Sequence, residues 1–279
     1  HRAIEQLAWH PAEPPLIRDR VLQVSGWARH DGAAVFNLYR QPDRPQGDAS
    51  KAGPWIDHLQ RVYPENSAHI TKWLAHRVQS PGDKCNHAIV LGGLQGIGKD
   101  TLLEPLKVAV GPWNWSDISP SQMLGRFNGW VKAVLGDVDR FAFYDHSKVI
   151  IAAPPDVLRV DEKHLRETYV ANVCGVIITT NHASDGLYLP ADDRRHYVAW
   201  SQCKREDFAA DYWQTLYGWF ADGGIGHVGA YLAGLDLSEF DPKAPPPKTP
   251  AFWSIVASGE APESGELRDV IERLDNPPA

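Results

Sequence analysis

Apolar and polar positions along this chain change period from block to block, and the periods predict its elements. Residues 20–40 alternate around His30-Asp31-Gly32, the pattern of a β-hairpin closed by a glycine-containing turn. Two prolines and two glycines at 41–53 read as a connector. The period then becomes helical. Trp55, Leu59 and Val62 share one face, as do Ile70, Trp73, Leu74 and Val78 on a second helix that Pro81-Gly82-Asp83 ends. A continuous apolar run at 87–91 predicts a buried strand, followed by a glycine-rich turn and a helix over 100–110. The stretches 130–135 and 173–180 are too apolar to face water on either side. They predict further strands of a central parallel sheet covered by helices. Helices are expected over 205–221 and 227–235, and DPKAPPPKTP (241–250) reads as a stiff linker before a short helical tail.

Composition narrows this picture only a little. The 279 residues are 43% hydrophobic and 23% charged, as in an ordinary globular protein, and no apolar run is long enough to span a bilayer. The chain begins at His1 with neither a signal nor a transit peptide, and its one methionine is Met123, so it reads as a piece of a longer protein. Cys85, Cys174 and Cys203 stand far apart, which suggests reduced thiols and a cytoplasmic setting. The twelve histidines form no metal-binding spacing, and Cys85-x-His87 is a lone pair. A net charge of −7 excludes a protein coated in basic residues but not a local basic channel.

The chemistry is concentrated after the strand at 87–91. There Gly93-Leu94-Gln95-Gly96-Ile97-Gly98-Lys99-Asp100-Thr101 lies between strand and helix, as a phosphate-binding loop requires. The glycines let successive N–H groups turn towards phosphate oxygens, Lys99 adds a point charge at the β/γ position, and the helix N-terminus adds a favourable dipole. A nucleoside triphosphate with Mg²⁺ is the expected ligand. Asp100 stands where Ser or Thr normally offers a hydroxyl to the metal, so either Thr101 takes that role or the Asp100 carboxylate does. The apolar strand ending at Asn181 places an amide where it can bond a γ-phosphate or orient a water, although an Asn there is also ordinary turn chemistry. Arg194 and Arg195 read either as a turn salt-bridged to Asp192 and Asp193 or as arginine fingers that stabilise charge on a transferring phosphoryl group.

Together these residues resemble superfamily 3 helicases of the AAA+ type, and more closely the helicase part of phage and prophage primase-helicases related to the poxvirus primase-helicase. GGLQGIGKDT (92–101), LGRFNGW (124–130), GDVDRFAFYDH (136–146), APPDVLRVDEKHLRE (153–167), VCGVIITTNH (173–182) and YLPADDRRHYVAW (188–200) carry the likeness. FNLYR (36–40) and DLSEFDPKAPPPKT (236–249) extend it over most of the chain. The resemblance implies an α/β fold with a P-loop AAA+-like core at 85–203. Around it stand a hairpin region (1–52), a helical region (53–84), a C-terminal helical region (204–240) and a Pro-rich linker with helical tail (241–279).

It further implies a homo-hexameric ring ATPase that translocates on single-stranded or forked DNA, often with a primase domain upstream, and no membrane partner. In that ring Lys99 is the phosphate-loop lysine, Asn181 the sensor, and Arg194 or Arg195 acts on the neighbouring subunit's nucleotide. Lys163, His164 and Arg166 match the segment that faces the DNA channel. The chain departs from the pattern in one respect. The strand at 130–135 runs directly into Gly136, where a Ser-Glu is expected, so either Asp137 or Asp139 substitutes to hold the metal and polarise water or both are plain loop acids. A ring subunit that holds nucleotide with impaired hydrolysis is therefore the alternative, and a P-loop small-molecule or nucleotide kinase is a more distant one.

Overall fold

The computed structural model describes residues 26–30, 33–37, 41–119, 130–134, 140–160, 168–182 and 187–259. β1 (Gly26–His30) and β2 (Ala33–Asn37) pair antiparallel, so the alternating N-terminal stretch is a hairpin. Two helices follow, α1 (Gly53–Val62) and α2 (Ser67–Gln79). β3 (Ala88–Gly92) then leads through the glycine-rich loop into α3 (Lys99–Val110). Next come β4 (Trp115–Ile118), β5 (Trp130–Val134) and α4 (Arg140–Ile151). β6 (Val157–Val160) and β7 (Thr168–Ala171) form a second antiparallel hairpin, followed by β8 (Val176–Thr180) and β9 (His196–Trp200). The C-terminal part holds α5 (Tyr212–Trp219), α6 (Ile225–Gly234) and α7 (Pro250–Gly259).

The architecture is α/β, with one parallel sheet in the order β4-β5-β8-β3-β9. Period-two alternation divides the core between its two faces. Ile89, Leu91, Ile177, Tyr197 and Ala199 pack with residues of α1, α2, α3 and α6. Ala88, Val90, Val176, Ile178 and Val198 pack with Phe143 of α4 and Phe252 of α7. Strands buried on both faces must be apolar throughout, which is why β3 and β8 read as continuous runs in the sequence.

The expected helix over 205–221 is instead broken. A 3-10 turn (Arg205–Asp207) comes first, because the Asp207 carboxylate accepts from the Lys204 N–H at 2.7 Å and caps a separate turn. After α5 the chain kinks at Gly223, which takes φ +92°, before α6. The proline-rich segment 241–249 lies against the body. Lys243 donates to Asp83 at 2.8 Å, and the Thr249 hydroxyl donates to the Val198 carbonyl at 2.6 Å. Among the described residues no helix is long and apolar enough to cross a membrane.

Candidate nucleotide site

All five strands run in the same direction, so the C-terminal ends of β3, β8 and β9 open at one edge, where open α/β sheets place ligands. The loop after β3 lies between Thr180 at the end of β8 and Ser201 just past β9. The Gly93 N–H donates to the Thr180 carbonyl and the Ser201 N–H to the Gly92 carbonyl, at 3.2 and 3.0 Å. Gly96 and Gly98 take φ +83° and +84°, which residues with a Cβ rarely adopt. A Cβ on Gly98 would also lie 2.6 Å from His58 Nε2 and 2.7 Å from the Trp213 ring, so both backbone and space require glycine there.

Lys99 opens α3 with its ammonium turned back into the loop, donating to the Gly93 and Leu94 carbonyls at 2.6 and 2.9 Å. Its third hydrogen bond goes to Asn181 Oδ1 at 2.6 Å. The two residues are 82 apart in sequence, and parallel pairing of β3 with β8 brings them together. Burial pulls the Lys99 pKa below its ordinary value, with Asp100 opposing. Lys99, Asn181, Asp100 and Thr101 all line one open cavity of about 490 Å³.

Asp100 is exposed at the rim, whereas Thr101 is buried with its hydroxyl 2.8 Å from the Tyr217 hydroxyl. A carboxylate and a hydroxyl side by side are hard oxygen donors of the kind Mg²⁺ takes. β5 ends at Val134 opposite Thr179, on the loop side of the sheet, but Asp137 and Asp139 lie outside the described residues. Lys163, His164 and Arg166, between β6 and β7, also lie outside them.

The arginine pair occupies the other end of the sheet. The Ala88 N–H donates to the Arg195 carbonyl, so Arg195 sits level with His87, roughly 20 Å from Gly93 at about 3.3 Å per residue. No arginine side chain covers that distance within one chain. The turn is built on Asp193, whose Oδ1 accepts from the Arg195 and His196 N–H groups at 2.9 and 3.0 Å and whose Oδ2 accepts from the Tyr144 hydroxyl. Burial alone would raise the Asp193 carboxyl; His196, the Arg195 amide and Tyr144 together hold it below the usual range. Asp193 is thus committed to main-chain and ring donors, Arg194 is exposed, and Arg195 Nε is buried without a hydrogen bond among the described residues.

Several contributors have no signal in the sequence. His58 on α1 meets the Gly98 carbonyl at 3.2 Å through Nε2 and the Tyr212 hydroxyl at 2.8 Å through Nδ1. A carbonyl acceptor requires Nε2 to carry the proton, so Tyr212 donates to Nδ1. Because a trans peptide sets C=O and the next N–H antiparallel, holding the Gly98 carbonyl outward turns the Lys99 N–H towards the cavity. Tyr63 likewise donates to the Gly92 carbonyl at 3.1 Å. Arg205, Trp213 and Tyr217 line the same cavity as Lys99 and Asn181. In the sequence, His58 and Tyr63 lie within or beside one helical segment (55–62) and Trp213 and Tyr217 within another (205–221), with no motif to set them apart.

A model of a family of unknown function (DUF5906) matches residues 91–195, from the end of β3 to the start of β9. No curated protein matches the chain. Among solved structures, the apo C-terminal region of NrS-1 (305–718) superposes with a TM-score of 0.73 at 19% identity, covering 94% of this chain and 66% of that one. Two A-form apo structures of the same region cover 99% of this chain and 70% of theirs, with TM-scores of 0.73 and 0.70. The chain therefore spans about two thirds of that region and shares its fold.

Proposed function

We propose that this chain is the nucleotide-binding motor module of a DNA helicase, holding ATP with Mg²⁺ at Gly93–Thr101 and coupling its hydrolysis to movement along DNA. The observation that carries the reading is the meeting of Lys99 Nζ and Asn181 Oδ1 at 2.6 Å in the mouth of an open cavity. An ammonium with all three donors turned to the loop and to an amide acceptor is positioned to exchange one of them for a phosphate oxygen. Asn181 is then released towards the γ-phosphate or the attacking water. Bound Mg²⁺ would neutralise developing phosphate charge, with Asp100 and Thr101 as its protein donors and Asp137 or Asp139 completing the set.

The position of the arginine pair favours an assembly. Because Arg194 and Arg195 stand at the far end of their own sheet, out of reach of their own loop, a finger role for them requires the nucleotide of another copy, as in a homo-hexameric ring. Lys163, His164 and Arg166 of each copy would line the DNA channel, and a primase domain upstream in the full protein fits the family resemblance.

The test is ATP turnover by the full chain with and without single-stranded DNA, beside Lys99→Ala. DNA-stimulated hydrolysis that falls roughly 100- to 1,000-fold in the variant is the expected result. Wild-type turnover no higher than that of Lys99→Ala would remove the motor and leave a subunit that only holds nucleotide. The departure at Gly136 favours that second reading.

A further inference from the structure

We infer that the nucleoside half of the ligand lies along α5, with its base stacked on the aromatic face formed by Trp213 and Tyr217. The site therefore takes nucleoside triphosphates with little discrimination between bases. This rests on the phosphate-loop reading above and extends it to the end of the ligand that the loop does not touch.

The two ends of the cavity differ in chemistry. Lys99 and Asn181 stand together on one side and mark where the terminal phosphates go. α5 meets the first turn of α3 at Gly98 and Thr101. Trp213 and Tyr217 are four residues apart and so share one helix face. Tyr217 reaches the Thr101 hydroxyl, and the Trp213 ring comes so close to Gly98 that a Cβ there would sit 2.7 Å from it. A triphosphate with its outer groups at Lys99 carries its sugar past Thr101, and the base beyond it meets these rings.

Both rings suit a stacking role. Trp213 is braced by Phe208 at 4.9 Å between ring centres, and edge-on by Tyr212 and His58 at 5.2 and 5.6 Å. Its orientation is set before any ligand arrives, which saves ordering entropy on binding. Tyr217 is 51% exposed and lines the cavity, so its ring surface is open to a ligand there. Gln95 and Arg205, the other side chains of this rim, are long and exposed, and neither offers a buried donor or acceptor at a fixed place. Every base has a π-face, so stacking alone does not tell one base from another.

The test is calorimetric binding of Mg²⁺-ATP, -GTP, -CTP and -UTP, and of Mg²⁺-tripolyphosphate, to the full chain and to Trp213→Leu and Tyr217→Leu. The four nucleotides are expected within a few-fold of one another, and each variant should lose about 5- to 100-fold in ATP affinity while keeping that for tripolyphosphate. Tyr217→Leu removes a half-exposed ring and leaves the core intact, so it decides the matter if Trp213→Leu unfolds. An unchanged ratio of ATP to tripolyphosphate affinity in Tyr217→Leu would overturn the inference while leaving the phosphate loop standing. So would ATP binding 30-fold or more tighter than CTP and UTP. Failure of wild type to bind either ATP or tripolyphosphate would overturn the phosphate-loop reading, and this inference with it.

Discussion

Two lysine–asparagine pairs stand at opposite ends of β3, with the same local chemistry. Lys99 donates to Asn181 Oδ1 and to the carbonyls of Gly93 and Leu94. Lys84 donates to Asn172 Oδ1 and to the carbonyls of Ile150 and Cys174. The difference lies in what surrounds them. Asn172 spends its own amide on the carbonyls of Val149, Ala152 and Pro155, and both partners are buried, so the pair ties the end of α4 to the start of β8. Asn181 is exposed, and Lys99 borders a cavity large enough for a triphosphate. A saturated, closed network rigidifies, whereas the same groups facing open space can exchange partners for a ligand.

Acid should break this contrast most strongly, because the closed end also holds His69 and His87, joined Nε2 to Nε2 at 3.0 Å. Burial and, secondarily, Lys72 lower the His69 pKa to about 4; burial and neighbouring histidines lower that of His87 to about 3. Their folded values lie below the unfolded one. Stability is therefore full above about pH 6.5 and is lost as pH falls towards 4, while the unfolded chain takes up protons that the folded one refuses. Between pH 7.5 and 5 the loss should reach about 4 kcal/mol, since each proton refused costs about 1.4 kcal/mol for every pH step below 6.5. Urea midpoints across that range measure it, and a flat profile would show that the pair is not buried as described.

Lys84→Met should come next. It leaves three buried oxygens unpaired and should lower stability by about 2–4 kcal/mol, read from thermal or urea unfolding. ATP affinity should stay within about two-fold, since the change is confined to the closed end. A large loss of binding with unchanged stability would reverse the assignment of the two pairs.

The smallest effect belongs to the support of the loop. His58→Phe removes the donor to the Gly98 carbonyl and should weaken ATP binding about ten-fold, the equivalent of one hydrogen bond of about 1.4 kcal/mol. His58→Gln, which restores a donor at similar reach, should recover part of it. Equal losses in both variants would make His58 a packing residue only.

The glycine-rich turn between strand and helix and the parallel sheet were legible because both are written locally. Glycines at 96 and 98, a lysine at 99, an apolar run before them and a helix after them are neighbours in the chain, and buried parallel strands must be apolar throughout. The turn that splits the start of the expected helix over 205–221 was not legible, because it depends on the Asp207 carboxylate capping the Lys204 N–H, whereas the break near Gly223 falls between the two helices expected there. Asp193 looked like a salt-bridge partner for the arginines. The fold instead buries it against Tyr144 and His196, groups from another helix and from β9.

By itself the sequence determined that a strand, a glycine-rich loop and a helix would meet around Lys99, since that geometry follows from adjacent residues. Only the tertiary structure decided that Asn181 would face Lys99, that Arg194 and Arg195 would stand a full strand length away, and that His58, Trp213 and Tyr217 would join the site. Strand pairing and burial sum contacts between segments tens to more than a hundred residues apart. Whether a lysine becomes a closed tie like Lys84 or an open contact like Lys99 is settled by that sum and by nothing in its own neighbourhood.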